Sequence, residues 1–152
     1  MKIAIGTDHG GFELKEKLVK FLKKESHIVK DFGTNSLESC DYPEFGIKVS
    51  RAISSRRFDR GVLICKTGVG FSIVANKFPN VRAVVANNIK VAKLSRQHND
   101  TNVLVFGSMF VNFKKAKKIL DIWLNTSFEG GRHSRRVNQI KILEKRLLKE
   151  TR

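Results

Sequence analysis

Short apolar segments alternate along this chain with longer segments whose apolar residues fall at helical spacing. The short segments are typical of buried strands, and the longer ones are typical of amphipathic helices. Five strands that alternate with helices predict a parallel sheet covered on both faces and joined by right-handed crossovers. The 152 residues are therefore predicted to form one α/β domain (1–152), a three-layer α/β/α sandwich with a Rossmann-like five-stranded parallel sheet.

The element boundaries follow from the same pattern. The predicted strands are residues 2–6, 28–32, 62–65, 82–86 and 102–106. The predicted helices are residues 12–25, 43–54, 69–77, 89–96, 112–125 and about 134–149. The last helix extends past the final strand and carries only a short apolar stripe. This stripe does not decide whether the helix packs on the sheet or on a second subunit.

The segment GVLICKTGVG, residues 61–70, joins a predicted buried strand to a glycine-rich turn. Cys65 lies at the carboxyl end of that strand, where open α/β sheets bind their ligands. A helix that starts directly afterwards would favour the thiolate, and the glycines let backbone amides approach an anion. The segment predicts a base or nucleophile beside a cradle for negative charge. Taken alone, a cysteine such as Cys65 is more often an inert buried thiol than a catalyst, and Gly68-x-Gly70 is weak evidence for phosphate binding.

Three other polar clusters adjoin predicted strands. DHGG (8–11) follows the first strand, QHND (97–100) precedes the fifth, and RHSRR (132–136) follows a Gly-Gly break. We expect the first cluster to lie near the Cys65 turn, because neighbouring parallel strands end at the same edge of the sheet. Arginines at a helix start oppose the helix dipole unless an anion is bound nearby. Simpler roles stay open, with Asp8 as a helix cap and His98 as a surface histidine.

The net charge of +16 is concentrated in residues 77–152, which hold 17 basic and 5 acidic residues. Nucleic acid and an anionic small substrate are both consistent with this excess. For the run KKAKK (114–118), the solvated face of an amphipathic helix is the better interpretation. The four histidines are scattered along the sequence without metal-ligand spacing, so no metal is predicted.

The chain shows no sign of export or membrane insertion. No apolar run is long enough to span a bilayer, and Asp8 comes too early for a signal peptide. Two cysteines do not make a disulfide scaffold. A cytoplasmic protein without a membrane partner is predicted.

Five blocks occur in order along the chain: DHGGFELK, DYPEFG, GVLICKTGVGFSIVANK, AKLSRQHNDTNVLVFGS and EGGRHSRRV. Together they resemble the ribose-5-phosphate isomerase type B family, which also includes allose- and galactose-6-phosphate isomerases. The resemblance extends from residue 1 to about residue 148. It implies an isomerase of the pentose phosphate pathway that interconverts ribose 5-phosphate and ribulose 5-phosphate through an enediolate, without metal or cofactor. It also implies a homodimer or homotetramer whose sites are shared between subunits.

The resemblance implies a role for each matching residue. Cys65 would be the general base, His98 would open the sugar ring, and Thr67 would help to hold the developing oxyanion. The implied substrate-binding residues surround the sugar and its phosphate: Asp8, His9, Lys66, Gly68, Val69, Gly70, Asn99, Arg132 and Arg136. Among these, the arginine pair would clamp the phosphate.

Two positions depart from the family pattern. Lys66 stands where glycine is common and would be strained if the backbone there requires a positive φ. Met109 stands where an arginine commonly provides another phosphate contact. Two alternatives stay open: a hexose-6-phosphate isomerase on the same scaffold and, more distantly, a basic nucleic-acid-binding module. The second leaves the Cys65 turn unexplained and lacks an aromatic stacking platform.

Overall fold

All five predicted strands form one parallel sheet in the computed structural model, which describes residues 1–150. The strands are β1 (Lys2–Thr7), β2 (Ile28–Asp31), β3 (Arg60–Cys65), β4 (Ala83–Val85) and β5 (Val103–Gly107), in the order β2-β1-β3-β5-β4. The helices are α1 (Phe12–Lys24), α2 (Tyr42–Ser54), α3 (Val69–Ala75), α4 (Ile89–Asn99), α5 (Phe113–Asn125) and α6 (Arg132–Glu150). The three-layer parallel fold that the sequence predicts is confirmed.

The two faces of the sheet bury alternate residues of each strand, as the period of two in a β-strand requires. On one face, Ile3, Ile5, Val62 and Ile64 pack in one apolar cluster with residues of α1 and α5. On the other face, Ala4, Leu63, Cys65 and Val105 pack in a second cluster with residues of α2 and α3. The Cys65 side chain therefore belongs to the α2–α3 side of the sheet.

Helix α4 continues to Asn99, three residues past its predicted end. Asp100 then adopts a left-handed conformation with φ of 46° and closes the helix with a bond from its backbone N–H to Arg96 O. The Arg82 guanidinium donates to the carbonyl oxygens of Asn99 and Asp100 at 3.1 and 2.9 Å. These long-range bonds satisfy carbonyl groups that a helix end otherwise leaves unpaired, which local sequence does not reveal.

The strand register fixes which loops share an edge of the sheet. Thr7 pairs with Ile64, and Cys65 pairs with Gly107, so β1, β3 and β5 end together at the carboxyl edge. Helix α4 returns the chain to the start of β5, so its last residues lie at the opposite, amino edge. Asn99 is only four residues before Val103, the partner of Gly61 near the start of β3.

Helix α6 lies largely outside the core. His133 and Val137 are its buried residues, and the backbone N–H of Asn80 donates to both carboxylate oxygens of Glu144 at 2.9 Å. Five large apolar side chains of the helix are exposed: Ile140, Ile142, Leu143, Leu147 and Leu148. No helix within residues 1–150 combines the length and apolar character that crossing a membrane requires.

Candidate active site

The loops that follow β1, β3 and β5 meet at the carboxyl edge of the sheet. The Ser108 hydroxyl donates to Gly10 O at 2.6 Å, and the Ser108 backbone N–H donates to Cys65 O at 2.8 Å. A Cβ atom built at Gly10 would lie 3.4 Å from the backbone nitrogen of Lys66. The structure thus places the DHGG segment beside the Cys65 turn, as the order of the strands led us to expect.

Cys65 is held at the mouth of this turn with its side chain almost fully buried. The backbone N–H of Gly68 donates to Cys65 Sγ at 3.1 Å. This contact depends on Gly68, whose φ is +85° and whose Cβ position lies 3.1 Å from Val85 Cγ1. This bond from a fixed backbone amide holds the sulfur atom in place at the start of the turn.

The rest of the turn presents polar groups at the same edge. The Val69 backbone N–H donates to Thr67 Oγ1 at 3.3 Å, and both residues are exposed. Gly70 allows the ring of Tyr42 to lie against the turn, since a Cβ at this position would be 2.6 Å from two of its ring carbons. Backbone amides and a threonine hydroxyl are groups that can donate to an oxyanion.

Lys66 is exposed and unstrained. The non-glycine residues with positive φ within residues 1–150 are Ser26, Arg56, Asn80 and Asp100, and Lys66 is not among them. The strain that a left-handed backbone would impose is therefore absent. Met109, the other departure from the family pattern, lies in the loop that follows β5 at this edge, and it is 64% exposed.

Asp8 and His9 lie in the loop after β1. Asp8 Oδ1 accepts a bond from the Gly10 backbone N–H at 2.9 Å, so this carboxylate caps the short turn before α1. His9 Nδ1 accepts a bond from the Cys40 backbone N–H at 3.3 Å and lies 3.8 Å from Cys40 Sγ. Cys40 was not predicted to adjoin the site. It is far from His9 in sequence, and the loop that carries it has no periodic pattern.

A second polar cluster lies at the other edge, where α4 ends and α6 begins. The rings of His98 and His133 stack at 4.3 Å with an interplanar angle of 10°. Glu129 Oε2 lies 4.0 Å from His98 Nε2 and 3.6 Å from His133 Nε2. Three residues close in sequence to these histidines have exposed side chains: Asn99, Arg132 and Arg136. The sequence shows His98 and His133 as scattered histidines, whereas the fold brings them into contact.

The donor atoms of His98, Glu129 and His133 lie within 4.8 Å of one another. Two imidazoles and a carboxylate are chemically suited to a transition metal. However, the rings are nearly parallel and stacked, so a metal in the plane of one ring lies outside the plane of the other. We therefore assign no metal to this cluster.

Burial lowers the pKa of His133 below its ordinary value, and the neighbouring charge of His98 acts in the same direction. Folded His133 therefore binds a proton less readily than unfolded His133 does. As far as His133 is concerned, we expect the free energy of unfolding to keep its full value above the ordinary histidine pKa of about 6.5. It should fall as the pH drops below that value. Thermal unfolding of the wild type and the His133→Gln variant at about pH 8 and about pH 5.5 measures this contribution.

In that comparison the variant should lose less stability on acidification than the wild type. His27, whose pKa is also lowered by burial, is present in both proteins and cancels in the difference. Equal losses in the two proteins would show that His133 titrates alike in the folded and unfolded chains.

A parallel sheet with a cysteine and a glycine-rich turn at its carboxyl edge is typical of α/β enzymes that bind small substrates at strand ends. The family model described as Ribose/Galactose Isomerase matches residues 3–140, and the chain belongs to this family. It is 51% identical over 145 residues to ribose-5-phosphate isomerase B of Escherichia coli (strain K12), with 95% of this chain and 97% of that protein covered.

Solved structures agree with this assignment. Ribose-5-phosphate isomerase B from Clostridium thermocellum superimposes with a TM-score of 0.94 at 50% identity, over 97% of this chain and 99% of that chain. The Mycoplasma genitalium enzyme with bound ribulose-5-phosphate gives a TM-score of 0.92 at 40% identity, over 95% of this chain and 96% of that chain.

Proposed function

We propose that this protein interconverts ribose 5-phosphate and ribulose 5-phosphate through an enediolate, as a cofactor-independent enzyme of the pentose phosphate pathway in the cytoplasm. Relatives named ribose-5-phosphate isomerase B match it over nearly the whole length of both chains. The observation that carries the proposal is the bond from the Gly68 backbone N–H to Cys65 Sγ at 3.1 Å. It holds the thiol sulfur in one position at the edge of the sheet, which supports the use of Cys65 as a general base.

The proposed chemistry begins with opening of the sugar ring by His98, with Asn99 beside it. Cys65 then takes the proton from C2 of the aldose and returns it to C1. The negative charge of the enediolate falls on oxygens that Thr67 and the backbone amides of Gly68, Val69 and Gly70 stabilise. Preorganised N–H donors of this kind are usually the largest single contribution to such a step.

The remaining residues bind parts of the substrate that do not react. Arg132 and Arg136 are one helical turn apart on α6, so they project from the same face and clamp the phosphate. Asp8 and His9 line the sugar pocket, and the exposed Lys66 adds positive charge beside the turn. Binding energy from the phosphate end then positions the reacting carbons.

A second copy of the chain completes this site in our proposal. Cys65 lies at the carboxyl edge of the sheet, and His98 lies at the amino edge, so one chain does not bring them together. A homodimer, or a homotetramer built from two dimers, places the His98 cluster of one subunit on the Cys65 turn of the other. The exposed apolar residues of α6 provide surface for this contact.

The substrate is tested by comparing kcat/KM for ribose 5-phosphate, allose 6-phosphate and galactose 6-phosphate in excess chelator. We expect the pentose phosphate to be converted most efficiently, without loss of activity in the chelator. Preference for a hexose phosphate would assign the alternative activity within the family. No conversion of any of the three sugars would refute the isomerase proposal.

A further inference from the structure

Glu129 has no role in the chemistry proposed above, yet its carboxylate lies against both histidines of the second polar cluster. Its Oε2 atom is 4.0 Å from His98 Nε2 and 3.6 Å from His133 Nε2. Within residues 1–150, these two imidazoles are the only groups with which Glu129 forms an ion pair. The carboxylate therefore faces the pair of rings rather than an arginine or a lysine.

Backbone contacts hold Glu129 in this place. Its N–H donates to Gln97 O at 3.0 Å, which joins Glu129 to the last turn of α4. Gly130 and Gly131 follow with φ of 70° and 53°, a left-handed pair that only glycine adopts readily. This turn leads into α6, where the His133 N–H donates to Gly130 O at 3.0 Å. Glu129 is thus tied to both helices that carry the histidines.

The His133 ring supports the His98 ring from one side. The rings are stacked, and the His133 side chain is 7% exposed whereas the His98 side chain is 38% exposed. Burial lowers the pKa of His133, and three neighbouring charges act in the same direction: His98, Arg132 and Arg136. A pKa below about 6.5 leaves His133 mostly uncharged near pH 7. An uncharged ring can support a positively charged His98 without like-charge repulsion.

We propose that Glu129 is a positioning residue for the opening of the sugar ring, in which it orients His98 and balances the charge that His98 gains. This inference rests on the proposed isomerase function. Ring opening moves the proton of the anomeric hydroxyl to the ring oxygen as the bond between C1 and that oxygen breaks. While His98 relays this proton its imidazole is positively charged, and a carboxylate beside the ring stabilises that charge.

The separation of 4.0 Å between Glu129 Oε2 and His98 Nε2 is longer than a hydrogen bond. Catalytic contacts are often long in proteins without substrate and shorten when the substrate binds. The Glu129 side chain is 48% exposed, so neighbouring atoms leave it room for this small movement. Bound substrate also displaces water, which strengthens the attraction between the two charges.

The test compares the steady-state kinetics of the wild type and the Glu129→Gln variant with ribose 5-phosphate. The substitution keeps the size of the side chain and removes its charge. We expect kcat to fall about tenfold with little change in KM, because one charged contact is lost at the reacting group and none at the phosphate. A purely structural role would disturb the start of α6, which carries Arg132 and Arg136, and would raise KM instead.

Glu144→Gln is the matched control. The Glu144 carboxylate also holds α6 in place, through the bonds that it accepts from the Asn80 backbone N–H at 2.9 Å. It forms no ion pair with either histidine within residues 1–150. We expect this variant to keep the wild-type kcat, because it removes the same charge from the same helix layer without touching the stacked rings.

A titration of the His133 ring by nuclear magnetic resonance tests the contact without any assay of activity. The charge of Glu129 opposes the burial that lowers the pKa of His133. This pKa should therefore fall further in Glu129→Gln and keep its wild-type value in Glu144→Gln.

Three results would overturn the inference: a wild-type kcat in Glu129→Gln, a raised KM without a fall in kcat, or an unchanged His133 pKa in that variant. Failure of the proposed function gives a different result, because the unsubstituted protein would then convert no ribose 5-phosphate.

Discussion

The Cys65→Ala variant is expected to lower kcat for ribose 5-phosphate by about 10²- to 10⁴-fold, the range typical of a removed general base. KM should change little, because the thiol acts on the reacting proton and the phosphate clamp supplies most of the binding. The stability of the fold should be nearly unaffected, since the substitution removes one small buried atom. Steady-state kinetics on both proteins in excess chelator provide the measurement.

Cys40→Ala is the natural control for this experiment. Cys40 is the other free thiol of the chain and lies near His9, but it lacks the backbone N–H contact that Cys65 Sγ receives. We expect the Cys40 variant to keep most of the activity and to be inactivated by thiol alkylation that substrate slows. Full activity in Cys65→Ala would retain the reaction and reject Cys65 as its base.

Mixing two inactive variants is expected to restore activity. In a hybrid dimer of Cys65→Ala with His98→Gln chains, one site carries both substitutions and the other carries neither. Random reassortment of subunits makes half of the dimers hybrids, so about one quarter of the wild-type activity should return. The variants are mixed, unfolded together, refolded and assayed with ribose 5-phosphate.

The matched control mixes Cys65→Ala with a chain that carries both substitutions, a combination in which no intact site forms. Activity in the first mixture and none in the second would establish that the site is shared. Activity of the first mixture equal to the mean of its two components would instead place Cys65 and His98 of the same chain in one site.

Much of the fold is readable from the sequence because it depends on local patterns. The run Val62–Cys65 is apolar on both faces of the sheet, as a central parallel strand must be. Gly68 marks a left-handed turn that only glycine adopts readily, and this turn fixes the start of α3. Asn112 caps α5 through a bond to the Lys115 backbone N–H at 2.9 Å, which its position before an amphipathic segment predicts.

Contacts between distant residues are less accessible to sequence reasoning. The stacking of His98 on His133 joins the end of α4 to the start of α6, and no periodic pattern signals it. The contact of His9 with Cys40 depends on the path of an irregular loop.

The sequence by itself determined the order of strands and helices along the chain. It also determined the position of Cys65 at a strand end and the glycine-rich turn that follows it. Apolar periodicity and glycine geometry act over a few residues, so they leave a direct trace in the chain. Only the tertiary structure decided that His98 stacks on His133 and that His9 lies against Cys40, because the packing of the whole core brings these distant segments together. The separation of Cys65 from His98 follows from that packing.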